Sequence, residues 1–310
     1  MKKYKRKIPG KICRLLPSVC LFIFLLPSCV TAPKTASPLV RKTEYLPLEP
    51  GAAAYIIMDV KKARPIFEGI NFREMNREQS RRILDMTGTA VAAVYEEGPR
   101  RFQAVAWGKY PAFGAGLSFA FSREWKKTKS PAGPSYWRSG RAGLSIALNP
   151  SQAYVSDGDP FARSPGTAVP KDFAEYSRGA VLACWLPEPA VPVDRFLAAV
   201  GLPLRIPAEE ILLGIFPKFG ADVRGPEYEA LIRIETPSAS QARAIAALIG
   251  MARSYLPAPD PASNAPPGAA LAALLFANAP VQDGARLNIR TAPLPETEIT
   301  LLLSIFSLYF

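Results

Sequence analysis

The sequence predicts an α+β fold made of two copies of a β-α-β-β-α-β unit, with mainly antiparallel sheets and helices on one face. Two observations predict the duplication. An apolar strand, a proline-led helix, a strand hairpin and a second proline-led helix occur in the same order in each half of the chain. The step of nine residues from Phe102 to Pro111 recurs from Tyr228 to Pro237. Shared order and spacing indicate a repeated unit, although 32 prolines make chance alignment the alternative.

The N-terminus combines a basic segment with a short apolar run. Residues 1–14 carry seven lysines and arginines and no acidic residue, and the run extends from Leu15 to Leu26. This order is typical of a secretory signal, and the run is too short for a spanning helix, which needs about 20 apolar residues. It ends in Leu26-Pro27-Ser28-Cys29, which resembles the lipobox of bacterial lipoproteins in its looser, spirochaete-like form.

The resemblance implies where the mature protein begins and where it resides. Residues 1–28 would be the signal peptide, and Cys29 would carry a diacylglycerol on its sulfur and a further acyl chain, such as palmitate, on its amine. Two or three chains hold a soluble body on a membrane, since each buried methylene contributes about 0.8 kcal/mol. We therefore expect a lipid-anchored protein of the bacterial cell envelope, on its periplasmic or surface side. The alternative is an ordinary signal peptide cut elsewhere, with Cys29 incidental.

Composition excludes several functional classes. The formal net charge of +12 includes the seven signal cations, which leaves the mature chain about +5 and gives little support to nucleic-acid binding. Histidine is absent, so neither a Ser-His-Asp nor a Cys-His catalytic group can form, and an ordinary zinc site lacks ligands. Cys184 is the one cysteine after Cys29, which leaves no disulfide within the mature chain. We expect no cofactor, no metal and no enzymatic activity.

The first repeat, 51–160, follows a flexible tether at 29–50 that is rich in Thr, Ala, Pro, Ser and Lys. An apolar run from Gly51 to Asp59 is typical of a central strand. In the helix that Pro111 opens, Phe113, Leu117 and Phe121 fall on one face at spacings of four. The other predicted elements are helices at Lys62–Gly69, with Pro65 in its first turn, and Arg77–Met86, a hairpin of strands at Thr89–Tyr95 and Arg101–Trp107, and strands at Leu144–Leu148 and Ala153–Ser156.

The second repeat, 179–310, is predicted to follow a linker at 161–178 and to keep the same order. Residues 257–284 are crowded with Pro and Ala, and we interpret them as an inserted loop with a short helix at Ala269–Phe276. The other predicted elements are a strand at Gly179–Leu186, a helix at Pro192–Val200, a hairpin of strands at Ile211–Phe216 and Tyr228–Glu235, a helix at Ser238–Leu256 with Thr236 as N-cap, and a strand at Leu287–Ile289.

One stretch, residues 123–141, combines cations with aromatic side chains and suits an anionic partner. Aromatic rings prefer the membrane interface and each cation contributes about 1 kcal/mol near an anionic surface, which favours lipid headgroups or a cell-wall polymer. The alternative is a solvated loop whose aromatics pack onto the body. The candidate residues are Arg123, Trp125, Lys126, Lys127, Lys129, Tyr136, Trp137, Arg138 and Arg141, with only Glu124 to oppose their charge.

Other polar or reactive groups are better explained by structure than by chemistry. Residues 157–159, Asp-Gly-Asp, could offer oxygens to a hard cation, but a turn explains them and further ligands are missing. The glutamate pairs at 96–97 and 209–210 are sequence neighbours whose side chains diverge, so they are interpreted as turn and helix-start residues. Cys184 lies among apolar residues, as expected of a buried, inert thiol.

These observations favour a non-enzymatic, membrane-anchored envelope lipoprotein that binds a partner protein or an anionic envelope component. An alternative is a ligand-binding lipoprotein with a cleft between the two repeats. The least favoured class is a carboxylate-dependent enzyme, because no histidine is present to assist catalysis.

Overall fold

The structure is a computed structural model that describes residues 45–69, 77–96, 101–161, 167–191, 193–194, 206–218, 226–255, 273–300 and 303. Its strands are β1 (Tyr45–Leu46), β2 (Ala54–Asp59), β3 (Thr87–Val94), β4 (Phe102–Gly108), β5 (Trp125–Lys129), β6 (Ser135–Ser139), β7 (Leu144–Leu148), β8 (Gln152–Ser156), β9 (Thr167–Ala168), β10 (Leu182–Leu186), β11 (Glu210–Lys218), β12 (Glu227–Glu235), β13 (Val281–Asp283), β14 (Arg286–Arg290) and β15 (Leu294–Pro295). Its longer helices are α1 (Val60–Gly69), α2 (Arg77–Met86), α3 (Ala112–Phe121), α4 (Lys171–Ser177) and α5 (Ala239–Tyr255).

Several predictions fall on residues outside these ranges. They are the signal peptide, the Cys29 lipidation site, the tether as far as residue 44, most of the helix at Pro192–Val200, and the larger part of the insertion at 257–284. Within the insertion, the described residues 273–275 are helical and end the predicted short helix. Residues 281–283, predicted as part of the inserted loop, form strand β13 and pair with β14.

A single antiparallel sheet of 13 strands forms the body. Its order is β13-β14-β12-β11-β10-β2-β3-β4-β8-β7-β6-β5, with β15 beside β12, while β1 and β9 form a separate two-stranded sheet. Because helices from both halves of the chain pack on this sheet, the predicted α+β class with mainly antiparallel strands is confirmed.

The two halves of the chain meet at the centre of the sheet. There β2 pairs with β10, so that Tyr55 lies opposite Trp185 and Met58 opposite Leu182. Outward from this pair each half places its strands in the same order, β2-β3-β4 on one side and β10-β11-β12 on the other. A duplicated unit predicts this arrangement, and the duplication itself stays a prediction.

Alternation along the central strands divides the core between two faces of the sheet. On the helical face, α1 contributes Ala63 and Ile66, and α5 contributes Ile245 and Ile249. Helices α2 and α3 pack on the same face, as the sequence predicts. Helix α4 covers the opposite face, where Phe173 packs beside Trp185 with ring centroids 5.8 Å apart. The prediction that helices lie on one face is therefore wrong for α4, and the predicted linker at 161–178 contains both β9 and this helix.

The last part of the predicted tether is held against the opposite face. β1 pairs with β9, and Leu48 is 1% exposed. The Tyr55 hydroxyl donates to the Glu49 carbonyl at 3.0 Å, and the Thr167 hydroxyl donates to Tyr55 at 3.1 Å. These buried hydrogen bonds fix the point at which the chain enters the body, because leaving such groups unpaired is costly. The folded body therefore begins before residue 51.

Two helix starts differ from their predicted positions. The Lys62 N–H donates to the Asp59 carboxylate at 3.2 Å, so α1 begins at Val60 and Pro65 lies inside the helix rather than in its first turn. At α5, the Gln241 N–H donates to the Ser238 hydroxyl at 3.3 Å. Ser238 is thus the N-cap, because a cap accepts from the third helical N–H. The predicted cap, Thr236, is instead buried with its hydroxyl 2.6 Å from the Ala285 carbonyl.

Candidate functional site

Helix α3 exposes a stripe of large apolar side chains. Phe113 is 81% exposed, Leu117 44% and Phe121 84%. The helix contains no charged residue, and its other side buries Ala115 and Phe119 against the sheet. The spacing of four correctly places the three residues on one face, but that face points away from the core. We call Phe113, Leu117 and Phe121 the α3 stripe.

The basic stretch that follows α3 folds into a hairpin at the end of the sheet. β5 pairs with β6 in register from Trp125–Ser139 to Lys129–Ser135, and β6 pairs with β7. The turn between them is closed by the Ser130 N–H, which donates to the Pro134 carbonyl at 2.8 Å. The Ser130 hydroxyl donates to Asp159 at 2.6 Å and ties the turn to the loop after β8. Sequence reasoning missed both strands of this hairpin.

The aromatic side chains of the stretch belong to the core. Trp125 and Trp137 pack on Phe119 of α3, with ring centroids 4.7 Å and 5.7 Å away. Trp125 is 4% exposed and Tyr136 5%. A bound partner would therefore not touch these two rings, and the alternative of aromatics packed onto the body is correct for them.

Strand alternation separates the cations into two groups. Lys127 lies directly opposite Trp137, which contacts α3, so Lys127 and Lys129 lie on the helical face. Lys126 lies directly opposite Arg138, and this pair lies on the other face. The six cations of the stretch are all exposed: Arg123, Lys126, Lys127, Lys129, Arg138 and Arg141.

One group of cations surrounds a cavity of about 540 Å³ beside the β5–β6 hairpin. Its lining consists of Arg123, Glu124, Lys126, Thr128, Arg138, Gly140 and Arg141. Among the residues that the structure describes, no carboxylate forms an ion pair with any of these four cations. Glu124, the one acid of the lining, accepts a hydrogen bond from the Ser139 hydroxyl at 3.0 Å. The cavity therefore carries an excess of positive charge.

Protection of a sheet edge explains part of this charge. β5 is the last strand of the sheet, and lysines on an edge strand discourage pairing with other chains. Protection of the edge strand explains the positions of Lys126, Lys127 and Lys129. It does not cover Arg138, which lies on the inner strand β6, nor Arg123 and Arg141, which lie outside the strands.

The acidic candidates are occupied in structural roles. Asp157 accepts a hydrogen bond from the Arg101 N–H at 2.7 Å and so joins the end of β8 to the start of β4, while Asp159 accepts from the Phe161 N–H at 2.8 Å within its own turn. Within the described residues, no group of three or more Asp, Glu, Cys or His side chains is arranged to hold a metal ion. Glu210 lies in β11 rather than at a helix start.

A second charged cluster lies under α4 on the opposite face. Arg286 contacts Asp172 at 3.1 Å and Glu235 at 2.5 Å, and Arg233 contacts Asp172 at 3.5 Å. Glu210 lies opposite Glu235 in the β11–β12 pair. Partial burial, followed by the charges of Glu235 and Asp172, raises the pKa of Glu210. The cluster attaches α4 to the sheet, and we assign it no chemistry.

Cys184 lies in the central strand β10 and is a free thiol. Burial raises the pKa of its thiol to about 12. A thiol with such a pKa is almost wholly protonated at neutral pH and is a poor nucleophile.

The junction between the halves is a hydrogen-bonded strand pair, and the cavity near the β5–β6 hairpin lies within the first half alone. Among the described helices, none is long and apolar enough to cross a membrane.

Comparison with known proteins gives similarity of fold alone. No family model and no curated protein matches the sequence. Three crystal forms of TP0453, a Treponema protein, have similar structures. Form IV has a TM-score of 0.55 at 17% identity over 82% of this chain and 93% of that one. Forms III and I have TM-scores of 0.56 and 0.55 at 16% and 15% identity, over 87% and 86% of this chain and 98% and 100% of theirs.

Proposed function

We propose that this protein is a lipid-anchored, non-enzymatic component of the bacterial cell envelope whose body docks on an anionic membrane surface through the α3 stripe. The observation that carries the proposal is the exposure of Phe113, Leu117 and Phe121 on a helix without charged residues. Isolated exposed apolar residues are common, but three at one-turn spacing form a continuous patch, and such patches mark interaction sites.

Charge near the stripe favours a lipid surface over a protein partner. Lys109 precedes α3 and is exposed. Lys127 and Lys129 lie on the same face of the sheet as α3. A helix that inserts apolar side chains between headgroups gains from cations at its borders, because each contributes about 1 kcal/mol near anionic lipids.

Because the acyl chains at Cys29 would already hold the protein at the membrane, a small docking surface would be sufficient to orient the body on the bilayer. Burial of a Phe or Leu side chain contributes about 1.5–3 kcal/mol, and part of this gain offsets the cost of orienting the body. Fifteen residues, 30–44, lie between Cys29 and Tyr45 of β1, and this segment spans at most about 55 Å when fully extended. An anchor of this reach keeps α3 at a high effective concentration near the bilayer.

Vesicle binding tests the docking role without the anchor. The mature chain carrying Cys29→Ser should sediment with phosphatidylglycerol-containing vesicles and less with phosphatidylcholine vesicles. Replacing Phe113, Leu117 and Phe121 by Ser should weaken that binding at least about tenfold, because three insertions are lost.

The control is an apolar surface elsewhere. Leu248 and Met251 of α5 are 41% and 61% exposed, and replacing both by Ser should leave vesicle binding unchanged. Equal binding by the parent and the α3 variant would refute docking through α3.

A further inference from the structure

The cavity beside the β5–β6 hairpin has the charge of an anion-binding site. Four cations and one carboxylate, that of Glu124, line the cavity. The Glu124 carboxylate already accepts a hydrogen bond from the Ser139 hydroxyl. Other surface cations of the protein form ion pairs: Arg64 contacts Asp85 and Arg82 contacts Glu78, each at 2.5 Å. Within the described part of the chain, the cavity's cations have no such carboxylate partner.

Two of these cations are held beside each other by the backbone. Lys126 and Arg138 are directly opposite in the antiparallel β5–β6 pair. Like charges at directly opposite positions destabilise a strand pair, whereas opposite charges stabilise it. An anion bound between the two side chains would convert this repulsion into two attractive contacts.

The lining also favours a particular kind of anion. Three of the four cations are arginines, whose planar guanidinium groups donate paired hydrogen bonds to phosphate oxygens. Gly140 adds open space, since a Cβ atom there would have no heavy atom within 4 Å. The cavity of about 540 Å³ can hold a phosphate group and part of what it is attached to.

We propose that this cavity binds a phosphate group, with Arg138 and Arg141 as its principal ligands and Lys126 and Arg123 as supporting charges. The inference goes beyond membrane docking, because Lys126 and Arg138 lie on the sheet face opposite α3. The phosphate can come from a lipid headgroup or from a soluble phosphate ester, and the two sources share the same recognition chemistry.

Calorimetric titration of the mature Cys29→Ser chain tests the site. Inorganic phosphate and glycerol phosphate should each bind saturably with one site per chain. Replacing Arg138 and Arg141 together by Gln should weaken binding at least about tenfold, since both charge-assisted pairs of hydrogen bonds to the phosphate are lost. Arg138→Lys, which keeps the charge but loses the paired donors, should give an intermediate affinity.

The matched control changes net charge equally on the other face. Lys127→Gln with Lys129→Gln should leave phosphate affinity within about twofold, because these side chains lie on the α3 side. Equal weakening by both double variants, or absence of saturable phosphate binding, would overturn the proposal. Near-ultraviolet circular dichroism checks that each variant keeps the parent fold.

Competition between lipid vesicles and glycerol phosphate distinguishes a lipid headgroup from a soluble ester as the source of the phosphate. It also distinguishes the phosphate site from docking through α3. If phosphatidylglycerol vesicles compete with glycerol phosphate for the parent chain, a headgroup occupies the cavity. If they bind the chain without displacing glycerol phosphate, the ligand is a soluble ester. Replacing the three residues of the α3 stripe should not change the affinity for glycerol phosphate, so failure of docking and failure of the phosphate site give different results.

Discussion

Phe119 and Trp125 pack ring against ring, with centroids 4.7 Å apart and a tilt of 40° between their planes. This contact joins α3 to the edge hairpin, because Trp125 is the first residue of β5. Phe121, two residues further along α3, is 84% exposed. One short helix therefore uses one phenylalanine for stability and leaves another free for contact outside the protein.

The difference in burial between these phenylalanines predicts unequal effects on the free energy of unfolding. Phe119→Ala should lower the free energy of unfolding by about 3–5 kcal/mol, because it removes a buried ring and leaves a cavity. Phe121→Ala should change it by less than about 0.5 kcal/mol, as surface substitutions usually do. Urea denaturation monitored by tryptophan fluorescence checks both values, and a cost for Phe121→Ala close to that of Phe119→Ala would contradict the exposure of the α3 stripe.

The sequence predicted α3 but not which of its sides is buried. Spacing of four places Phe113, Leu117 and Phe121 together, yet Ala115 and Phe119 on the other side are equally apolar. A helix that is apolar all round carries no polar face to mark solvent. The shape of the sheet beneath α3 determines which side of the helix is buried. That shape depends on strands that are distant in sequence.

The edge hairpin was missed because its lysines conceal the alternation of a strand. Trp125 and Trp137 each occupy a core-facing position, but Lys127 lies on that same face opposite Trp137 and breaks the apolar pattern. Such a lysine is tolerated on an edge strand, where its side chain reaches solvent. The cavity follows from the hairpin, so it could not be predicted either, although the cations themselves were identified.

Lipidation at Cys29 is the prediction on which membrane anchoring depends. Metabolic labelling with a fatty-acid analogue should mark the wild-type protein, because the sequence from Leu26 to Cys29 resembles a lipobox. Cys29→Ala should abolish the label. Cys184→Ala is the matched control and should leave the label unchanged, since its thiol is held protonated within the sheet. Label that persists in Cys29→Ala would exclude this anchor.

The charged cluster under α4 predicts a dependence of stability on pH. The pKa of Glu210 is raised in the folded protein, so folding favours its protonated form. The resulting stabilisation is complete below the unfolded-state pKa of about 4.3 and is lost as pH rises through the higher folded-state pKa. At neutral pH the ionised carboxylate therefore costs stability.

Glu210→Gln should consequently stabilise the protein at pH 7 by less than about 1 kcal/mol, since solvent screens a half-exposed carboxylate. The gain should disappear below about pH 4, where both forms are neutral. Denaturant midpoints measured from about pH 3 to pH 8 check this, with the exposed neighbour variant Glu209→Gln as control. A gain that is the same at every pH would show that ionisation is not its cause.

The central strand pair predicts that the two halves fold as one unit. Tyr55 and Trp185 stack with ring centroids 5.0 Å apart across β2 and β10, and their cluster also contains Val105 from the first half and Leu212 from the second. Separating the halves would expose this apolar core and leave β2 and β10 as unpaired edges. Unfolding should therefore be a single cooperative transition in which calorimetric and van't Hoff enthalpies agree.

Fragments 45–161 and 167–310, expressed separately, should lack cooperative unfolding, and mixing them should restore it if their strands can pair. Leu212→Ala, in the second half, should lower the midpoint reported by the first-half residues Trp125 and Trp137 as much as that reported by Trp185, because one transition governs all three. A first-half fragment that melts cooperatively by itself would show that the repeats are independent domains joined edge to edge, and that the shared core contributes little to either.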